Sequence, residues 1–211
     1  MTVEEAATRT RPESLHQVRA RYHTSENPFR FGYAPVPARQ FLGERDRAFA
    51  ADTSTGAIVL DASNDLGVRY PATTPTLLCR YLKIRSGETL HTRFSASGAI
   101  FYVMSGCGQS SHGGDEITWG AGDLFCFPGG AEIIHRATDG DCLLFVATDE
   151  PLLSFGRLRP PATRDSVVET VHWPAAEIER HFEDVYRRAI TADATGCSVM
   201  FSTRSLAPGY M

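Results

Sequence analysis

Two histidines in β-patterned segments are the residues best suited to chemistry in this sequence. His91 lies in the run "GETLHTRFS" and His135 lies in "AEIIHRAT". A neutral imidazole is a good ligand for iron, nickel, copper or zinc, and it is also the commonest general acid or base. Arg93 follows His91 by two residues and carries a permanent charge that suits a carboxylate or another anion. The expected chemistry is metal-assisted or acid–base catalysis on a small, anionic organic molecule.

Short β-patterned runs must position these side chains. Between residues 51 and 158, runs such as "TLLCRYLKI", "AIFYVMSG" and "CLLFVATD" alternate with Gly-Gly, Gly-Asp and Asp-Gly turns. Strands of this length, with a turn signal about every ten residues, predict an all-β sandwich or barrel. Alternate residues of a strand point to the same face, so residues two apart share a face.

Glycines and a proline recur at fixed spacing around the two histidines. Gly87 and Gly106 enclose positions 93, 95 and 99, while Gly122, Pro128 and Gly130 precede positions 133 and 137. This spacing resembles the two motifs of the cupin superfamily, G-x5-H-x-H-x3,4-E-x6-G and G-x5-P-x-G-x2-H-x3-N. The resemblance implies a cupin double-stranded β-helix, a jelly-roll barrel, over residues 51–158.

The positions that hold metal ligands in cupins carry other residues in this chain. They are Arg93, Ser95, Ala99 and Ile133. The last three are not usual ligands, and Arg93 would repel a divalent cation. His91 precedes position 93 by two residues and His135 follows position 133 by two. In the family, the strands that carry the positions equivalent to 93 and 133 are adjacent and antiparallel. The two-residue steps to His91 and to His135 therefore move in the same direction along the barrel. Parity predicts that His91 and His135 face inward together, one layer from the usual site.

Three functions are open at this point. In the first, His91 and His135 bind a divalent metal (Fe, Ni or Zn) and act as the catalytic pair of a dioxygenase-like enzyme. Arg93, Ser95 and Phe101 are then the expected substrate-binding residues. In the second, a histidine is the general base of a metal-free isomerase, cyclase or lyase. In the third, the barrel binds a small molecule without catalysis.

The layout most resembles the gentisate 1,2-dioxygenase-like branch of the cupins. Those proteins have an N-terminal helical arm, and their second motif can carry histidines at the fifth and seventh residues after the proline. His135 is at the seventh place after Pro128, whereas Ile133 occupies the fifth. The resemblance covers roughly residues 70–155 and implies oxygenase chemistry on a small molecule.

Segments outside the barrel are expected to form arms. Residues 1–50 are predicted as an N-terminal arm, with Ser14 capping a helix to about Tyr22 and the aromatic segment "SENPFRFGYAPVPARQF" after it. Residues 159–211 are predicted as a linker, a helix over "PAAEIERHFEDVYRRA" and an edge strand over "CSVMFSTRSL". These arms and an exposed sheet edge predict a homodimer. His112, in "SSHGGDE", is expected to be solvated.

Composition excludes several classes of partner. The 211 residues carry a formal net charge of -4 and no basic run, which argues against nucleic-acid binding. No apolar run approaches the roughly 18 residues of a membrane span. The N-terminus begins with acidic residues and lacks the apolar core of a secretory signal. The five cysteines form no C-x-x-C pair, which suits reduced thiols, and a cytoplasmic location is expected.

Overall fold

The computed structural model describes residues 14–20, 36–160, 162 and 165–191. Most of the predicted aromatic segment at 25–41 and the predicted edge strand at 197–206 lie outside these residues. The chain divides into residues 1–35 and residues 36–211. In the first unit, helix α1 (Leu15–Arg19) begins after Ser14, whose Oγ accepts the N–H of Gln17 at 3.3 Å. Gln17 Oε1 accepts the Ser14 N–H at 2.9 Å, which completes a capping box.

The second unit is built mainly of antiparallel strands, which confirms the predicted all-β class. The strands are β1 (Gly56–Leu60), β2 (Leu78–Ile84), β3 (Thr89–Arg93), β4 (Gly98–His112), β5 (Asp115–Gly120), β6 (Leu124–Pro128), β7 (Glu132–Thr148) and β8 (Val171–Trp173). The helices are α2 (Leu42–Phe49), α3 (Ser63–Leu66), α4 (Glu150–Gly156) and α5 (Ala175–Thr191). None of the described helices is both long and apolar enough to cross a membrane.

The two longest strands, β4 and β7, hold the fold together because each belongs to two parts of the sheet. The first half of β4 pairs with the second half of β7, and β1, β2, β6 and β8 extend this part in the order β1-β2-β7-β4-β6-β8. The second half of β4 pairs with the first half of β7, around Gly108 and Ala137. In this part of the sheet β3 lies beside β7, and β5 lies beside β4. Register shifts between Val103 and Gly108 bend β4 between the two parts.

Backbone pairing does not close the sheet into a complete barrel. Over the described residues, neither β1 with β8 nor β3 with β5 forms a ladder. The expected jelly-roll is therefore a sheet folded over on itself, with its two parts facing each other across a core. That core contains Leu82 and Ile84 from one part, and Trp119 and Ile133 from the other.

A glycine marks the bend in β4. Gly106 has φ of 83°, a left-handed conformation that side chains rarely adopt. A Cβ at this position would also lie 2.6 Å from the Cys142 Sγ atom. The family-like spacing of this glycine thus corresponds to a local backbone requirement.

The segment containing β8 and α5 is anchored to the sheet by Asp123. This carboxylate accepts hydrogen bonds from the N–H groups of Gly120 (3.0 Å) and Ala175 (2.7 Å) and from His172 Nε2 (2.9 Å). Burial alone would raise the pKa of Asp123, but the backbone and His172 hydrogen bonds hold it below its ordinary value. The start of α5 is therefore fixed next to the β5–β6 turn.

Candidate functional site

The four positions equivalent to cupin metal ligands do not face one interior site. Arg93 and Ser95 are exposed, whereas Ala99 and Ile133 are buried in the core at 1% exposure each. The inner face of β3 is formed by Thr92, and Phe94 directly after the strand continues the same parity. An anchoring role inside the barrel for Arg93 and Ser95 therefore has no support from their placement.

His91 and His135 do not share a face, and this prediction is wrong. In the β3–β7 ladder, Leu90 is opposite His135 and Thr92 is opposite Ile133. Directly opposed residues point to the same side of an antiparallel pair, so His135 faces inward with Thr92. His91 points outward, and its Nδ1 lies 3.4 Å from Glu132 Oε1 with both side chains about half exposed. The two imidazoles are thus on opposite sides of the sheet.

His135 is fully buried and both of its ring nitrogens are occupied. Nδ1 lies 2.7 Å from Ser110 Oγ, and Nε2 lies 3.0 Å from Thr92 Oγ1. Trp119 Nε1–H donates to the same Ser110 Oγ at 2.8 Å. With a proton on Nε2, the bonds run in one direction: Trp119 donates to Ser110, Ser110 donates to Nδ1, and Nε2–H donates to Thr92. This tautomer gives each of the four side chains in this hydrogen-bonded series a partner.

The ring of His135 is neutral near pH 7. Burial, reinforced by the charge of His91, lowers the pKa of His135 to about 3. Its hydrogen bonds connect β3, β4, β5 and β7 through Thr92, Ser110 and Trp119. The arrangement fixes the imidazole as a structural link between strands.

Aromatic side chains fill the space next to His135. Phe101, expected to contact substrate, is fully buried, and its ring centroid lies 5.2 Å from the His135 ring. The same ring stacks on Phe125 at 4.7 Å and meets Phe127 edge-on at 6.3 Å. Phe94 packs on it from β3's end at 6.4 Å. Phe101 is therefore the centre of an aromatic core.

His112 is a second interior histidine, and the expectation that it is solvated is wrong. It is 2% exposed, and its Nδ1–H donates to the Glu132 carbonyl at 3.1 Å. Its ring packs on Phe127 at 5.6 Å. Nε2 is buried without a hydrogen-bond partner among the described residues. The bend in β4 explains why the placement of His112 was predicted wrongly. Before the bend, odd-numbered residues such as Phe101 face inward, whereas after the bend even-numbered residues such as His112 face inward.

An ion pair occupies a further part of the inner face. Arg80 Nη1 donates to Thr148 Oγ1 at 3.1 Å, and its Nη2 pairs with the Glu150 carboxylate. The guanidinium lies over the Phe94 ring at 4.9 Å. Glu150 also accepts the Ser95 N–H at 3.3 Å. No motif in the sequence marks Arg80, and the charge of its guanidinium is already compensated by the Glu150 carboxylate.

The residues present do not fit the metal that the family resemblance implies. Within the described ranges, no three His, Cys, Asp or Glu side chains are grouped so that they could hold a metal ion. His135 would have to give up a hydrogen bond to Ser110 or Thr92 before either nitrogen could coordinate a cation. His91, the proposed second ligand, is on the opposite face of β3.

Comparison with known proteins supports the dioxygenase relationship. No family model matches the chain. Over 110 residues the chain is 34% identical to 5-aminosalicylate 1,2-dioxygenase from Comamonas sp., a match that covers 50% of this chain and 29% of that protein. The chain thus spans less than a third of this relative's length. The match confirms the predicted relationship to cupin dioxygenases of the gentisate type.

Two solved structures align with part of the chain. The salicylate 1,2-dioxygenase from Pseudaminobacter salicylatoxidans aligns with a TM-score of 0.42 and 23% identity, covering 55% of this chain and 32% of that one. A DMSP lyase from Ruegeria pomeroyi aligns with a TM-score of 0.37 and 19% identity, covering 55% of this chain and 56% of that one.

Proposed function

We propose that this chain is a non-catalytic cupin module related to the dioxygenases, in which a packed core replaces the metal centre. The observation that carries this proposal is the environment of His135. Both of its ring nitrogens are bonded within the core, to Ser110 and Thr92. A metal ligand needs a free lone pair facing the metal, and a general base needs one facing the substrate. The His135 imidazole offers neither.

The surroundings of His135 favour the same conclusion. A substrate or a metal with its waters needs space, but Phe101, Phe125 and Phe127 are each fully buried and pack on one another. Admitting a ligand next to Phe101 would require these rings to move out of close contact, which a densely packed core resists. The module would act through its surface, as a scaffold.

The sequence match favours a second candidate, dioxygenase-like cleavage of a small aromatic acid with a divalent metal. Identity of 34% to an enzyme named for 5-aminosalicylate is the supporting observation. Iron, nickel or zinc would be the cofactor under this candidate. His91 and His135 are not retained as its ligands, because they lie on opposite faces of β3 and β7.

Metal loading combined with an oxygen assay separates the two candidates. Untagged protein would be loaded anaerobically with ferrous iron, nickel or zinc, desalted and analysed by plasma mass spectrometry. Oxygen uptake would then be followed with gentisate, 5-aminosalicylate and salicylate. We expect well under one metal per chain and no uptake above that of the metal alone. His181→Ala, which removes an exposed histidine of α5, controls for adventitious surface binding.

Near-stoichiometric iron together with ring cleavage would refute the non-catalytic proposal. If metal is retained, His91→Ala and His135→Ala show whether either histidine contributes to its binding. Loss of metal in both variants, with the fold intact by circular dichroism, would contradict the opposite orientation of the two side chains. Retention in both would place the ligands elsewhere in the chain.

A further inference from the structure

Helix α5 carries an apolar surface that the described residues cover only in part. We call Ile178, Phe182, Tyr186 and Ile190 the α5 face, because a spacing of four residues places them along one side of the helix. Phe182 is 44% exposed, and Tyr186 and Ile190 are each 61% exposed. Large apolar side chains grouped on a helix surface usually mark a contact with another element or molecule.

Only the first part of this face rests on the sheet. Ile178 and Phe182 line a depression of about 360 Å³ together with Tyr102 and Leu124. Tyr102 is itself 43% exposed on the outer side of β4. Apolar surface is therefore continuous from Tyr102 through Phe182 to the exposed end of the helix.

Charge along α5 changes sign at its middle. Up to Asp184 the helix carries four carboxylates against one arginine, namely Glu177, Glu179, Glu183 and Asp184 against Arg180; beyond Asp184 it carries Arg187 and Arg188. Two ion pairs lie within the helix, Arg180–Glu177 at 2.6 Å and Arg188–Asp184 at 2.7 Å. An antiparallel copy of the helix would place its basic half beside the acidic half of the first, whereas a parallel copy would place like charges together.

We propose that the α5 face is a dimer interface that binds α5 of a second copy of this chain in antiparallel orientation. A two-fold axis through the middle of the helix makes the surface self-complementary in both shape and charge. It also sets the two helix dipoles in opposite directions. Tyr186 and Ile190 would then pack on the partner helix, and the acidic part of each helix would lie beside the basic part of the other. The proposal does not rest on the absence of catalysis, because the α5 face is on the outer side of the sheet.

Sedimentation velocity of the full chain from about 1 to about 100 µM tests the interface. We expect a dimer for the parent and, for Tyr186→Glu combined with Ile190→Glu, a dissociation constant raised on the order of 100-fold. Phe155→Glu is the matched control, because Phe155 is a 78% exposed apolar residue on another helix, α4, and its replacement should leave the dimer unchanged. Circular dichroism and thermal melting would verify that each variant is folded.

Charge exchange tests the orientation. In the fully exchanged variant, Glu177 and Glu179 become Arg while Arg187 and Arg188 become Glu; all four residues are exposed. Antiparallel pairing predicts that this variant forms its own dimer but not a mixed dimer with the parent, since mixing places like charges together. Native mass spectrometry of the mixture measures this. Preferred mixed dimers would overturn the antiparallel arrangement.

Two outcomes would overturn the interface itself. A parent that stays monomeric up to about 100 µM would mean that residues 192–211 or another protein covers the α5 face. A parent dimer that survives the Tyr186→Glu, Ile190→Glu change would place the interface elsewhere, such as at an exposed sheet edge.

Discussion

Acid should destabilise this protein through His135, and the size of the effect follows from its burial. Burial, with the charge of His91 second, lowers the pKa of His135 to about 3, against 6.5 for an unperturbed histidine. Between these values the unfolded chain binds a proton that the folded chain does not, so the free energy of unfolding falls as pH falls. One proton corresponds to about 1.4 kcal/mol per pH unit. His135 alone should therefore remove about 2 kcal/mol between about pH 6.5 and about pH 4.5.

Urea unfolding of the parent and of His135→Gln, repeated from about pH 7.5 to about pH 4.5, measures this contribution. The variant should be less stable at neutral pH, because Ser110 and Thr92 lose well-placed partners, but its stability should fall less steeply with acid. The slope should be shallower by about 1.4 kcal/mol per pH unit in the acid range. Contributions from carboxylates such as Asp123 are present in both proteins and cancel. His16→Gln, which alters an exposed histidine of α1, is the matched control for the loss of a histidine side chain.

Equal slopes for the parent and His135→Gln would refute the assignment of His135 as a buried neutral link. Proton titration by NMR gives a second test that needs no variant and applies even if His135→Gln does not fold. The Cε1–H resonance of His135 should not titrate between about pH 8 and about pH 4.5. A midpoint near the ordinary histidine value would mean that the ring is reached by solvent and able to bind a proton or a metal.

Three further predictions test the packing and the anchoring of α5. Phe101→Ala should lower the free energy of unfolding by about 3–5 kcal/mol in urea titrations, because it empties the centre of the aromatic core; a loss under about 1 kcal/mol would contradict that packing. Gly129→Ala should yield no folded protein by circular dichroism, since a Cβ there would lie 1.7 Å from a backbone carbonyl oxygen, whereas Gly43→Ala, in open space, should fold normally. His172→Gln should lower the free energy of unfolding by about 1 kcal/mol and speed amide hydrogen exchange in α5, because Asp123 loses a hydrogen bond. Unchanged exchange rates in α5 would argue against this anchor.

The all-β class could be predicted because its signals are local. Period-two alternation and turn glycines specify short strands whatever lies in the core. Ser14 likewise signals a helix start through its own side chain, and the helix begins at the next residue. The pairing of both halves of β4 with both halves of β7 could not be predicted from local patterns, because it joins residues that are far apart in the sequence.

The face of each histidine depended on a register that the motif spacing did not specify. The family frame aligned position 93 with the inward side, but the ladder pairs Thr92, not Arg93, with Ile133. A shift of one residue moves every side chain of a strand to the other face. The alternation in β3 and directly after it contained the correct signal: Leu90 and Phe94 are apolar, and the polar residues His91 and Arg93 fall between them. A charged Arg93 avoids the cost of burial only when it faces outward.

Changing a metal centre into a core requires two conditions to be met together. Removing ligands without filling their volume would leave a cavity, which costs roughly 24 cal/mol per Å³. Under the proposed function, Phe101 and its aromatic neighbours would occupy that volume, and the Ser110 and Thr92 hydroxyls would satisfy the His135 imidazole. A single substitution such as Ile133→His would therefore not create a metal site. It would place a further imidazole in a filled core without a hydrogen-bond partner, and stability would be lost before any metal could bind.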